Sequence, residues 1–126
     1  MPSNARHVNQ ARATEELSKY RLDETQAEDR PWIATLLFDA ALHWIDAYFA
    51  TQSPPAGIHP KDHQRRFTWI ASSPDFLPIE RRYVDLFNQS MDARYELKAF
   101  TLADVARLRL MRLDPIRAHI QALLPP

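Results

Sequence analysis

A single glycine, Gly57, in 126 residues leaves this chain almost nothing from which to build positive-φ turns. Tight β-hairpins and Gly-rich phosphate loops both depend on such residues, so Rossmann, P-loop and most all-β architectures fall away together. Ten prolines supply the punctuation instead, and they gather at the joints between segments. What remains is an all-α chain. Its length suits one domain spanning residues 1–126. A hydrophobic fraction of 45% supplies enough apolar surface for a core.

The segments read as helices in turn. Residues 3–21 carry sparse apolar positions (Val8, Ala11, Leu17, Tyr20) and predict an amphipathic helix on the outside of the fold, with Ser3 able to cap it. An acidic joint leads to Pro31, a residue suited to a first helical turn. From Trp32 to Ala50 the sequence WIATLLFDAALHWIDAYFA is apolar nearly all round. Its exceptions, Thr35, Asp39, His43 and Asp46, fall on one narrow stripe, which predicts a central helix buried on every other face. A loop holding Pro54, Pro55 and Gly57 follows. A third helix starts at Pro60, buries Phe67, Trp69 and Ile70, and ends at Pro74. A fourth runs from Pro78 to about Tyr95. Thr101 to Asp104 resembles a capping box opening the last helical stretch, where Pro115 either kinks one long helix or restarts a second. The expectation is a four- or five-helix up-and-down antiparallel bundle.

Zero formal net charge gives no global field toward nucleic acid or an anionic membrane. Thirteen of the sixteen basic residues are arginine, since the lysines are Lys19, Lys61 and Lys98. Lys61/Arg65/Arg66 and Arg81/Arg82 are therefore local anion sites or solvated helix faces. Absence of cysteine removes disulfides and thiolate zinc sites. A polar N-terminus without an apolar signal region, and no run of about 20 apolar residues, predict a cytoplasmic protein with no membrane partner.

Three constellations could carry chemistry. Asp39 and His43 lie one turn apart, so the carboxylate can orient the imidazole as a general base; with Asp46 the stripe equally suits a polar seam or a two-carboxylate metal site. His59 falls at the expected cap of the third helix and His63 one turn on, near Arg66, which suits anion contact or plain capping. Arg94 closes the fourth helix within Ala93-Arg94-Tyr95. No metal or cofactor is expected, because one stripe supplies too few ligands. Ser72, Ser73 and Ser90 lack the glycine elbow of a serine hydrolase.

The order of LLFDAALHWIDAYFA, HPKDHQRR, YVDLFNQSMDARY and a Phe-Thr-x-x-Asp-Val helix start resembles the HEPN superfamily, from about Trp32 to Ile120. The resemblance implies an up-and-down bundle that forms a homodimer. It also implies a place in a bacterial defence or toxin–antitoxin system, either as a module binding a partner protein, nucleotide or RNA, or as a metal-independent ribonuclease. Catalytic members carry an Arg-x4-6-His motif. Arg94 stands where that arginine belongs, but Tyr-Glu-Leu-Lys-Ala-Phe follows it with no histidine; the spacing recurs at Arg112 and His119. A catalytic reading would rest on His43, Asp39 and Arg94, with His59, His63 and Arg66 in binding roles. Trp32, Phe38, Trp44 and Phe49 leave one helix in several directions, which also favours a second copy covering some of them.

Overall fold

A computed structural model describes residues 4–52 and 62–125, and helices without any strand make up their regular structure. Helix α1 spans Asn4–Tyr20, α2 Arg30–Phe49, α3 His63–Ser72 and α4 Glu80–Tyr95. A 3-10 turn at Pro74–Phe76 joins α3 to α4. The last stretch comprises α5, Leu102–Arg107, a π-helical segment, Leu108–Leu113, and α6, Asp114–Leu123. The all-α bundle expected from the sequence is the fold observed.

Helix α2 is the centre. Pro31 occupies its first turn, and Ile33, Leu37, Phe38, Trp44 and Ile45 are buried on different sides of it. Alanines at 34, 40, 41 and 47, all fully enclosed, let neighbouring helices approach closely. α1, α4 and the last helix pack around it. Phe38, Trp44 and Phe49 are covered by the chain itself, so one of the four aromatics that favoured a second copy remains outside: Trp32, 64% exposed.

The surface of α1 that packs inward differs from its apolar pattern. His7, Thr14, Glu15 and Ser18 are buried around Ala11, whereas Leu17 and Tyr20 face solvent. The physical reason is a polar latch. The Glu15 carboxylate accepts a 2.8 Å hydrogen bond from Trp44 Nε1 and pairs with Arg117 of α6. A buried carboxylate is tolerable when both its oxygens are engaged in this way.

Pro115 does not restart a second helix. Arg107, Leu108, Leu113 and Asp114 all hold right-handed helical dihedrals, so the helix runs through. The chain widens into a π turn just before the proline, a common response where the regular ladder loses a donor. Pro115 leaves the carbonyl of Met111 without its usual N–H, and Arg82 Nε supplies a replacement at 3.1 Å. At the start of α5 the capping box forms as expected: Thr101 Oγ1 accepts from Asp104 N, and Asp104 Oδ2 accepts from Thr101 N, both at 3.0 Å.

Helix α3 begins later than the prolines suggest. Asp62 is its N-cap, accepting from Arg65 N at 2.8 Å. An aspartate carboxylate suits that geometry better than an imidazole does. His59, expected at the cap, lies outside the described residues, as do Ser3, Lys61 and the Pro54–Gly57 loop.

Candidate functional site

The two ends of the polar stripe of α2, Thr35 and Asp46, turn inward. Asp46 is 2% exposed and Arg66 of α3 is 5% exposed; the guanidinium forks the carboxylate with Nε–Oδ1 at 2.9 Å and Nη2–Oδ2 at 3.0 Å. Burial disfavours the Arg66 charge, but the hydrogen bonds to Asp46 and its negative charge outweigh that and hold the guanidinium more basic than usual. Tyr83 of α4 packs against this pair. Burial pushes its hydroxyl far above the ordinary range, with Arg66 opposing, and the oxygen makes no hydrogen bond of normal geometry. Thr35, at the other end of the stripe, is buried with its hydroxyl donating to Pro31 O at 3.0 Å.

Between those ends, Asp39 and His43 are half-buried. The orienting bond expected between them does not form through Nδ1 of His43, which is enclosed without a hydrogen-bond partner. Asp39 instead pairs with Arg94 Nη2 at 3.4 Å. The His43 ring lies 6.0 Å from that of His7 on α1. His63 packs its ring 5.8 Å from Phe38 and 5.2 Å from Phe87.

Electrostatics tie these groups together. Burial raises the Asp39 carboxyl above its ordinary value, although Arg94, His43 and His63 all pull it down. Burial lowers the His43 imidazole, against the attraction of Asp46 and Asp39, and Arg66 adds to the lowering. His63 is lowered by burial, then by Arg66 and Arg94, with Asp39 and Asp62 opposing. Asp39, His43, His63, Arg66 and Arg94 thus share one electrostatic neighbourhood. Arg112 and His119 do not join it. Arg112 Nε bonds Asp85 at 2.8 Å, while the His119 ring meets the backbone carbonyl of Asp75, so each is committed to a separate structural partner. Among the described residues no three His, Asp or Glu side chains gather in a way that could hold a metal ion.

Beside Asp39 and Arg94 the surface opens into a groove of about 950 Å³. The end of α1 contributes Leu17, the start of α2 Pro31, Trp32, Thr35 and Leu36, and the end of α4 Ala93, Arg94 and Tyr95. Leu97 and Lys98 complete the wall. Leu97 adopts φ 52° while 89% exposed. A left-handed leucine costs about 1–2 kcal/mol relative to ordinary backbone, a position glycine would occupy without strain. Its turn closes α4, as Asp92 O accepts from both Glu96 N and Lys98 N.

No protein-family model, no curated protein and no solved structure matches this chain. No helix among the described residues is long and apolar enough to cross a membrane.

Sequence reasoning reached Asp39, Arg94, His43, His63 and Arg66, but missed the groove beside them. Trp32 reads only as one of four aromatics of which a second copy could cover some, and Leu97 carries no local signal. Tyr95 was visible as the neighbour of Arg94.

Proposed function

We propose that this chain is a non-catalytic binding module and that the groove along α2 and α4 receives an amphipathic segment of a partner protein. One observation carries the reading: Trp32, Tyr95 and Leu97, 64%, 70% and 89% exposed, stand around a mainly apolar groove of drug-pocket volume. Aromatic side chains presented in this way are the usual anchors of protein recognition. A small molecule lying in the groove would leave these rims in water, whereas a protein segment would cover them. The wall sets Glu28 and Asp39 against Arg94 and Lys98, so its charges balance and no net field draws a polyanion. The resemblance to non-catalytic HEPN modules supplies the setting, a bacterial defence or toxin–antitoxin system.

The ribonuclease reading has less support. Metal-free RNA cleavage needs an accessible cation at the phosphate and a free base. Arg66 is taken up by Asp46, and His43 Nδ1 is enclosed. The shared neighbourhood of Asp39, His43, His63 and Arg94 is what speaks for it. The test pairs two measurements. A displayed library of helical peptides should enrich on the native chain and not on Trp32→Ala/Leu97→Glu, while Arg81→Glu on a distant face keeps enrichment. RNA cleavage persisting in EDTA and abolished by His43→Ala and Arg94→Ala would overturn the proposal in favour of the enzyme.

A further inference from the structure

The groove contains a cation that the fold leaves incompletely used. Several other arginines reaching into the structure hold at least two acceptors each, while Arg109 holds Ser18 Oγ. Arg66 grips both oxygens of Asp46; Arg30 bonds the carbonyls of Glu24, Phe100 and Thr25; Arg112 takes Asp85 and Met111 O; Arg117 takes Glu15 and Asp114. Arg94 makes one described contact, the 3.4 Å pairing with Asp39, through one of its nitrogens. A guanidinium carries five N–H donors in a planar fork shaped to receive a carboxylate bidentately. Its side chain is 35% exposed, open to the groove yet walled by Leu36, Ala93 and Tyr95. The other cation of that wall, Lys98, is occupied: Nζ donates to Gln89 Oε1 at 2.6 Å and lies 5.1 Å over the Phe100 ring.

We propose that Arg94 is the specificity-determining residue of the groove, reading a single carboxylate on the occupant, an amphipathic helix with one glutamate or aspartate among its apolar anchors. This rests on the reading of the groove as a protein-binding site. The incoming carboxylate takes the fork of Arg94, for which the long contact to Asp39 is a weak competitor. The apolar anchors cover Trp32, Tyr95 and Leu97 and exclude water from the new pair, which strengthens it. Asp39 lines the same groove and repels a second acidic group. An occupant with several acids in a row is thereby rejected, which separates this chemistry from a general affinity for anions.

The experiment uses the full chain and two fluorescent helical peptides selected on it, identical except for one glutamate replaced by glutamine. Anisotropy titration should show the glutamate peptide binding roughly tenfold more tightly. Arg94→Gln should bring its affinity down to that of the glutamine peptide, leaving the latter unchanged, and Asp39→Asn should tighten the glutamate peptide. Trp32→Ala should weaken both peptides equally. Circular dichroism of each variant confirms that the helices are intact. Equal affinity of the two peptides on the native chain overturns the role of Arg94 while leaving the groove reading in place. Failure of either peptide to bind, with folded protein, overturns both. A preference that survives Arg94→Gln assigns the carboxylate to another cation and overturns the proposal.

Discussion

Replacing Asp46 by alanine removes the bidentate partner of a guanidinium that is 5% exposed and cannot reach bulk water without opening α3 from α2. Breaking a buried pair from one side costs about 3–5 kcal/mol, because the surviving charge remains desolvated. A domain of this size holds roughly 5–15 kcal/mol in total, so Asp46→Ala should sit near the edge of folding. With a urea slope of about 1–3 kcal/mol per molar, the unfolding midpoint should fall by roughly 2 M. The exposed Asp39–Arg94 pair is the internal control: both side chains are about a third accessible, and Asp39→Asn should change stability by under about 1 kcal/mol. Asp46→Leu combined with Arg66→Met removes both charges and should regain most of the loss. Urea titration of all four proteins by circular dichroism makes the comparison. A loss below about 1 kcal/mol for Asp46→Ala would refute the claim that this pair is buried and structural, and would return Arg66 to the set of accessible cations.

Leu37→Ala, at a fully buried position of α2, should cost about 2–5 kcal/mol by thermal or chemical denaturation; a near-zero cost would mean that α2 is not central. Leu97→Gly should relieve the left-handed strain and leave stability unchanged or raised by about 1 kcal/mol, yet weaken peptide binding, so that denaturation and anisotropy move in opposite directions. His43 and His63 are both held below the ordinary imidazole value, so the unfolded chain binds more protons than the folded one once pH falls below about 6.5. Stability is therefore fully present above that value and declines as pH falls toward the folded-state values, and His43→Gln should flatten the decline measured between about pH 7 and 5. Light scattering at micromolar concentration checks the homodimer implied by the HEPN resemblance: a mass near 14.7 kDa would leave Trp32 and Leu97 for a different partner.

The sequence by itself determined the class of fold and most of its joints. One glycine and clustered prolines permit helices and forbid much else, because backbone conformation is a local property. The capping box at Thr101 and the proline in the first turn of α2 were legible for the same reason, since each acts within four residues of its own position. The tertiary structure decided everything that depends on which face meets which. Glu15 reads as surface until Trp44 and Arg117 arrive from 29 and 102 residues away. Asp46 reads as part of a polar stripe until Arg66 closes on it, and only the tertiary structure shows that Trp32, of the four aromatics of α2, is the one left exposed. At Pro115 the carbonyl of Met111 takes donors from Arg82, on another helix, and from Arg112, a pairing no local pattern announces. Periodicity reports how many faces of a helix are apolar; it carries no information about the charge or carbonyl on the neighbouring helix. Such pairings are long-range, and they separate a buried ion pair at Arg66 from an open guanidinium at Arg94.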